Sequence, residues 1–403
     1  MHVIALAAEA TVGGAYRAEL PMRALGDRGH RAEFMVWDQR DEPPSLDHLS
    51  QADVVHMWRL FRGPARRLAT ALREAGVAVV FDNDDDMTRV PKGSPAYKEM
   101  SAAKEQVASE LGAMLRLADL VTTTCGELGS RLRRLGARDV RVVENYLEAG
   151  FLRERNVNGD GVVIGWVAGA EHRGDLKDLR LRRTLEQLLE AQPHVSLVSV
   201  GLDLGVRSER YTHIADVPFP ELPDTIAQFD LGLAPIADVS FNRVRSNIKV
   251  KEYAAGGVPW IASSIGPYRD LGGDQGGRVV QDYGWAEALT DLVTDAPARA
   301  ALAERAAAWG RTQTVTDNAA EWEVAFAQVA ERVGRVTGIS LAQGGRSDPT
   351  PGIAAGGARG RTIIPRPLPA TDASSGDGSA SRGAGNGARS APRRGLFRRR
   401  AGR

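Results

Sequence analysis

The sequence predicts an α/β protein with two Rossmann-like domains and a disordered C-terminal tail. First, short apolar runs alternate with helical patterns, beginning with a run at 3–8, a helix at 16–26 and a second run at 32–37. Second, a new series of the same kind starts at 162–167, after a polar segment. Third, Gly, Ser, Pro, Ala and Arg dominate beyond residue 338 and leave little to bury.

The apolar runs predict buried parallel strands, and the segments between them predict helices. In the first half we expect strands at 3–8, 32–37, 53–57, 77–81, 119–123 and 140–143, with helices at 16–26, 97–117 and 125–135. In the second half we expect strands at 162–167, 195–201, 230–235, 258–262 and 277–280, with helices at 176–191, 247–255, 284–294, 297–309 and 316–334.

The changes in composition along the chain predict its division. We expect a first domain at 1–150, a second domain at 161–312, a C-terminal helix at 313–337 and a basic tail at 338–403. The polar segment rich in Gly and Asn between the domains predicts a linker.

Composition and charge narrow the class of protein. The chain has 403 residues, of which 43% are hydrophobic and 26% charged, as in a soluble globular protein. Residues 341–403 carry a formal charge of +9 and the preceding residues carry −8, so the body does not predict a nucleic-acid partner. The basic end of the chain predicts either a solvated tail or contact with a polyanion, namely anionic lipid at a membrane surface or nucleic acid. A single cysteine, Cys125, and the lack of an 18-residue apolar run favour a cytoplasmic location, with the inner face of the membrane as the site of any such lipid contact.

An acidic run, Asp82–Asp86, follows the strand expected at 77–81. Ligands of open α/β sheets bind at the carboxyl ends of strands, so Asp84, Asp85 and Asp86 are candidate catalytic residues. Three interpretations stay open: a general base acting on an acceptor hydroxyl, a site for Mg²⁺ or Mn²⁺, or a solvated cap on the following helix.

The segment 229–268 predicts a strand, a loop, a helix and a second strand, and the helix start carries the chemistry. Ser246 is expected to cap a helix that begins at Asn247, where backbone N–H groups suit an anion such as a diphosphate. Lys249 adds a full positive charge, and Glu252 lies on the same face and can accept hydrogen bonds from a ribose diol. The alternative is an ordinary surface pair of Glu and Lys.

Two other turns have residues that suit a ligand. Gly169, His172 and Arg173 form a cationic turn containing glycine after the first strand of the second half, where a diphosphate would fit, although His172 alone also fits a surface histidine. Gly13 and Gly14 enter the first helix, either to let a ligand approach the backbone closely or to make a tight turn.

The segment 229–268 resembles the donor-binding helix of GT-B glycosyltransferases, close to the family 4 group. The resemblance rests on Asp230, Gly232, Ala234, Pro235, Phe241, Asn242, Ser246, Lys249, Glu252, Tyr253, Ala255, Gly257 and Pro259. One position departs from it: many members carry a first glutamate where this chain has Val244. Any contact of that acid with the sugar is then either absent or made by another residue, with Asp238 and Asn242 as the candidates.

This resemblance implies a GT-B fold, with two domains that face each other across a cleft. It implies a glycosyltransferase that retains anomeric configuration, needs no cofactor or metal, and uses a nucleotide-diphosphate sugar as donor. The implied donor-binding residues are Gly169, His172, Arg173, Ser246, Asn247, Lys249 and Glu252, and the implied acceptor-side residues are Gly13, Gly14 and Arg17. The C-terminal helix either crosses to the first domain, as in many GT-B proteins, or packs on its own domain.

The acceptor stays open between a glycan, a lipid-linked glycan, a protein and a small molecule. Two other functions also remain: a sugar-nucleotide 2-epimerase of the same fold, and a non-catalytic binding protein that acts through its basic tail.

Overall fold

The computed structural model describes residues 1–335 except for residues 93, 95, 96, 157, 158 and 160. The predicted tail at 338–403 and part of the predicted linker lie outside these residues. The strands are β1 (His2–Ala7), β2 (Arg31–Val36), β3 (Val54–Trp58), β4 (Ala78–Asp82), β5 (Leu120–Thr123), β6 (Val140–Val142), β7 (Val162–Ala168), β8 (Val195–Gly201), β9 (Tyr211–Ile214), β10 (Leu231–Ala234), β11 (Trp260–Ser263) and β12 (Gly277–Val280).

The strands form two parallel six-stranded sheets, which confirms the predicted α/β class with two Rossmann-like halves. The first sheet has the order β2-β1-β3-β4-β5-β6 and the second has the order β12-β11-β10-β7-β8-β9. The strand order therefore reverses between β1 and β3 in the first sheet and between β7 and β10 in the second. In open α/β sheets, the crevice at such a reversal is where ligands bind.

Helices cover the sheets. They are α1 (Val12–Gly14), α2 (Leu20–Asp27), α3 (Leu46–Leu49), α4 (Gly63–Glu74), α5 (Tyr97–Ala102), α6 (Lys104–Leu117), α7 (Gly126–Leu135), α8 (Arg173–Asp178), α9 (Leu181–Ala191), α10 (Leu222–Ile226), α11 (Ile248–Ala255), α12 (Trp285–Thr294), α13 (Ala296–Gly310) and α14 (Val315–Arg332). A π turn at Ala15–Glu19 joins α1 to α2.

Three helix predictions need correction. The helix expected at 97–117 is divided into α5 and α6, because Ala103 has non-helical backbone angles. The helix expected at 176–191 is broken at Arg180, whose φ of 53° lets Leu179 and Leu181 on either side both turn into the core. Ser246 does not cap α11: its hydroxyl accepts a hydrogen bond from Asn145, and Asn247 holds the N-cap position without a side-chain bond to the helix.

Tyr253 fixes α11 against the second sheet. Its hydroxyl donates to the carbonyl of Leu233 at 2.8 Å and accepts from the N–H of Val167 at 3.0 Å. Its ring lies over Gly232, where a Cβ atom would come within 2.6 Å of ring carbons. The start of α11 is thereby held at the carboxyl ends of β7 and β10.

The last helix, α14, crosses to the first domain, which decides between the two alternatives left by the sequence. Trp322, Phe326 and Val329 pack in one core cluster with Val3 and Ala5 of β1. Among the residues described, no helix is long and apolar enough to cross a membrane.

We expect Gly232→Ala to lower the free energy of unfolding by about 1–3 kcal/mol, because the added methyl group meets a fully buried ring that cannot move aside. Gly26→Ala is the matched control, since a Cβ there meets open space inside α2 and should raise the free energy of unfolding by about 0.5–1 kcal/mol. Urea unfolding of both variants measures the difference, and equal effects would contradict the packing argument.

Candidate functional site

The candidate site lies where the carboxyl ends of the two sheets meet. Tyr16, which follows β1, reaches Glu252 of α11, and Asn145, which follows β6, donates to Ser246 just before α11. The side chains after β1, β3 and β4 therefore lie opposite those after β7 and β10.

Glu252 is a buried carboxylate with a partner on each oxygen. Its Oε1 accepts from the Tyr16 hydroxyl at 2.9 Å, and its Oε2 accepts from Lys249 Nζ at 2.6 Å. The Glu252 side chain is 2% exposed, whereas that of Lys249 is 23% exposed. The predicted pairing of Lys249 with Glu252 on one face of the helix is present, but the pair is not on the surface.

A hydrogen-bonded chain runs from the loop after β10 to the turn after β7. Asn242 Nδ2 donates to Asp175 Oδ1 at 2.7 Å, and Asp175 Oδ2 lies 2.8 Å from His172 Nδ1. On the other side of the ring, Arg245 Nη1 lies 3.1 Å from His172 Nε2. Because an arginine only donates, Nε2 is the acceptor and the proton lies on Nδ1, toward Asp175.

Burial and the neighbouring charge of Arg245 lower the pKa of His172, so its imidazole stays neutral near pH 7. Neutral His172 presents a lone pair that orients Arg245. Arg245 also approaches Glu171 Oε1 at 3.4 Å, and its side chain is 24% exposed. Of the two alternatives left open for His172, the surface histidine is excluded, since the residue is buried.

The other two residues of this turn are exposed. Gly169 comes directly after β7, where a Cβ atom would meet the carboxylate of Glu171. Arg173 starts α8 and is exposed, and its charge acts on Asp203 after β8. Both lie at the sheet edge where a diphosphate is predicted.

Asp84 and Asp86 are engaged by neighbouring side chains of their own domain. Asp84 Oδ1 accepts from Trp58 Nε1 at 3.0 Å and from Arg59 Nε at 2.6 Å. Asp86 accepts from the Thr88 hydroxyl at 2.6 Å and from Arg131 at 2.7 Å. Among the described residues, no group of three or more His, Cys, Asp or Glu is arranged to hold a metal ion.

Asp85 differs from these two. Arg59 Nη2 donates to its Oδ2 at 2.7 Å, yet its side chain is 27% exposed. Burial raises the pKa of Asp85 to about 6, with Asp84 and, across the domain interface, Glu171 adding to the effect. A carboxyl with a pKa of about 6 is suited to exchange a proton near neutral pH.

Gly13 and Gly14 make room for an indole ring. A Cβ on Gly13 would lie 2.9 Å from the Trp58 ring, and one on Gly14 would lie 3.2 Å from it. Since Trp58 in turn donates to Asp84, the two glycines let the loop after β1 pack directly behind the acidic run. Arg59 is held in the left-handed region, with φ of 55°, at the end of β3 beside that loop.

Arg17 lies elsewhere than we predicted. It is fully buried, donates to both oxygens of Asp82 at 3.1 and 2.6 Å, and also donates to the Val143 carbonyl and the Asn145 side chain. Burial alone would raise the pKa of Asp82, but Arg17 lowers it to about 2. Arg17 thus joins β4 to the end of the first domain and, being fully buried, does not face a ligand.

Asn247 and Lys251 connect α11 to the first domain. Asn247 Nδ2 donates to Glu144 Oε2 at 3.1 Å, and Lys251 Nζ donates to the same oxygen at 2.8 Å. The side chain of Asn247 therefore points to Glu144 of the first domain, whereas that of Lys249, two residues later, points to Glu252.

The structure also explains why Val244 stands where the family 4 pattern has a glutamate. Val244 is fully buried in the core cluster of the first domain, and its carbonyl accepts a weak hydrogen bond from Cys125 Sγ at 3.4 Å. Asp238 is paired with Arg243 at 2.6 Å on the surface, and Asn242 is buried against Asp175. Neither of the two proposed substitutes for the missing acid extends a free side chain into the site.

Sequence reasoning missed three residues of this site: Tyr16, Arg59 and Arg245. Arg245 stands directly before Ser246, so its closeness to the predicted helix start was a usable signal. Tyr16 stands directly before the predicted residue Arg17 and had the same kind of signal, although its partner Glu252 is remote in sequence. Arg59 follows the end of β3 and had no such signal.

Comparison with known proteins gives the fold. No family model and no curated protein matches this chain. Among solved structures, HepE from Anabaena in complex with UDP is 16% identical over 83% of this chain and 100% of its own, with a TM-score of 0.58. Sucrose-phosphate synthase from Thermosynechococcus elongatus is 14% identical over 82% of this chain and 100% of its own, with a TM-score of 0.59. The chain has the GT-B fold.

A third similar structure is of another class of enzyme. A protein from Listeria monocytogenes described as a UDP-N-acetylglucosamine 2-epimerase is 11% identical over 83% of this chain and 98% of its own, with a TM-score of 0.51. The GT-B fold predicted from segment 229–268 is thus confirmed, while membership of family 4 stays a prediction.

We expect Asp85→Asn to stabilise the protein at pH 7. A carboxyl whose pKa rises on folding binds more protons in the folded than in the unfolded state, so its contribution to stability falls as the pH rises from about 4 to 6. The variant loses this contribution, and its advantage over the wild type should grow across that range and level off above it. Urea unfolding between pH 4 and 8 measures the advantage.

Asp86→Asn is the matched control, since it removes an ion pair with Arg131 and should destabilise the protein at pH 7. A destabilising effect of Asp85→Asn at pH 7 would contradict the raised pKa.

Proposed function

We propose that this protein is a glycosyltransferase that binds a nucleotide-diphosphate sugar on its second domain. The observation that carries the proposal is the buried carboxylate of Glu252, which accepts a hydrogen bond from Lys249 at the start of α11. This end of α11 lies beside the point where the strand order of the second sheet reverses. A carboxylate accepts hydrogen bonds from both hydroxyls of a ribose. The adjacent lysine and the helix N-terminus suit the diphosphate.

The proposed chemistry is the departure of a nucleoside diphosphate from the sugar. Negative charge develops on the leaving phosphate, so the main contribution of the protein is to place positive charge there in advance. Lys249 and Arg245 are the cations next to the start of α11, and His172 orients Arg245 through its neutral ring. Arg173 at the start of α8 adds a third, exposed cation at the same sheet edge.

The acceptor is proposed to approach from the first domain. Asp85 lies on that side and is suited to take the proton of an acceptor hydroxyl as the glycosidic bond forms. A cavity of about 510 Å³ opens beside the loop after β1 and is bordered by Glu9, Thr11, Gly14, Phe34 and Phe219. Its mixed aromatic and acidic lining favours a neutral hydroxyl-bearing acceptor, whether a glycan, a lipid-linked glycan, a protein or a small molecule.

A sugar-nucleotide 2-epimerase is the second candidate, because one structure of similar fold is described as such an enzyme. An epimerase needs no acceptor, so incubation of the protein with UDP-N-acetylglucosamine alone separates the two: formation of the 2-epimer supports the epimerase. Retention of configuration follows only from the resemblance to family 4, and the anomeric proton of the product, observed by NMR, tests it.

We expect a nucleotide diphosphate to raise the midpoint of thermal unfolding of the wild type, because a ligand that binds only the folded state stabilises it. UDP, GDP, ADP and dTDP are the probes, each with and without its sugar. Glu252→Gln should abolish or sharply reduce the shift, because the amide places a donor where the ribose hydroxyls donate.

Glu144→Gln is the matched control for that experiment. Glu144 also pairs with a lysine of α11, but with Lys251 on another face of the helix from Lys249 and Glu252, so its variant should keep the shift. No shift with any probe in the wild type, or an equal loss in both variants, would contradict the proposal.

A second prediction concerns the cation beside the helix start. We expect Arg245→Ala to weaken binding of a nucleoside diphosphate by about tenfold or more and to leave binding of the nucleoside nearly unchanged, because the proposal places the guanidinium at the diphosphate and not at the nucleoside. Arg243→Ala is the control, since Arg243 lies two residues away and is paired with Asp238 on the surface. Isothermal titration measures both affinities, and a similar loss for the nucleoside would point instead to a general distortion of the loop.

A further inference from the structure

Glu252 receives its second hydrogen bond from the opposite domain. The Tyr16 hydroxyl, in the π turn after β1, donates to Oε1 at 2.9 Å, and both residues are almost completely buried. Burial and the charge of Glu252 raise the pKa of Tyr16 well above its ordinary value. Tyr16 therefore stays protonated and remains a hydrogen-bond donor to Glu252 over the physiological pH range.

The two partners of Glu252 differ in how readily they can move. Tyr16 belongs to a core cluster that includes Leu20 of its own domain and Phe151 of the segment after it. Its ring also packs edge-on against Phe219 of the second domain, at 5.5 Å between centroids. Lys249, by contrast, is 23% exposed and has a flexible side chain. A ligand that reaches Glu252 therefore displaces the lysine and leaves the tyrosine in place.

The carboxylate has capacity for both partners and a ligand. Its two oxygens offer about four acceptor positions in all, of which Tyr16 and Lys249 use one each. When the ammonium group moves to a diphosphate, three positions are free, which is enough for a ribose diol. The bond from Tyr16 need not break for the nucleotide to bind.

We propose that Tyr16 is a positioning residue for nucleotide binding: the first domain supplies the hydroxyl that fixes the Glu252 carboxylate for the ribose diol, while Lys249 exchanges from Glu252 to the diphosphate. This inference rests on the proposed function. Residues of both domains then form the ribose subsite, so the affinity for ribose depends on the relative position of the two domains.

The test is Tyr16→Phe, which removes the hydroxyl and keeps the ring against Phe219. The probes are UDP, GDP and ADP, together with their 2′,3′-dideoxy counterparts, and the readout is the dissociation constant from isothermal titration. We expect the variant to bind the ribose form about tenfold more weakly, because the Glu252 carboxylate is no longer held in place and must be ordered when the diol binds. The dideoxy form, which does not use the Glu252 diol contact, should bind the variant and the wild type with affinities within about twofold.

Two further variants separate positioning from a general loss of structure. Tyr146→Phe is the matched control, because the Tyr146 hydroxyl donates to another glutamate, Glu321, at 2.8 Å. It should leave the preference for the ribose form unchanged. In a Glu252→Gln background, Tyr16→Phe should have no further effect on that preference, because the two residues act as one unit.

The outcomes distinguish this inference from the function on which it rests. If the wild type binds none of the probes, the proposed function fails and the inference fails with it. If the wild type prefers the ribose form and Glu252→Gln removes the preference, but Tyr16→Phe keeps it, only the inference is overturned. Tighter binding of the ribose form by Tyr16→Phe would also overturn it, since the tyrosine would then block the site.

Discussion

A buried carboxylate is stable only when its charge is compensated, and in this protein the compensation of Glu252 comes from both domains. Lys249 supplies it from the same helix, and Tyr16 supplies it from the first domain. Much of the surrounding structure serves this arrangement. Tyr253 holds α11 against its sheet, and Lys251 ties the other face of the helix to Glu144. The helix start is thereby kept at the meeting point of the two sheets.

The charges along the domain interface are mostly paired within the protein. Arg59 holds Asp84 and Asp85, and Arg245 lies against His172 and Glu171. Such pairing offsets part of the desolvation cost of the buried ions. It also keeps cations in the site that can exchange their present partners for a ligand. In the proposed function, a phosphate takes over Arg245 and Lys249, while His172 and Glu252 keep their hydrogen bonds to Asp175 and Tyr16. Arg245 is one of the cations that counter the rise in the pKa of Asp85, so we expect this exchange to change that pKa.

The sequence predicts those parts of the fold and site that depend on local spacing. The two α/β series follow from apolar runs, and the pairing of Lys249 with Glu252 follows from the three-residue spacing on a helix. The prediction for Arg17 failed because its neighbours in sequence, Gly13 and Gly14, do not reveal that Asp82 lies opposite its side chain. Tyr16 was missed for the same reason: 236 positions separate it from Glu252, and only the packing of the domains brings the two together. The predicted cap at Ser246 is wrong because its hydroxyl bonds to the side chain of Asn145, which is remote in sequence, and not to the backbone N–H groups of α11.

Val244 shows how the loop before α11 depends on the first domain. Many members of the family that segment 229–268 resembles have an acid at this position, whereas here a valine enters the core of the first domain and its carbonyl meets Cys125. The loop before α11 is therefore anchored by apolar packing, and it cannot turn residue 244 toward a sugar without emptying that core. In the proposed function, polar contacts to the sugar come from side chains that already face the interface, and the Asp85 side chain is the most exposed of the three candidate aspartates. The proposal therefore gives the first domain a role at both ends of the donor, through Tyr16 at the ribose and Asp85 near the sugar.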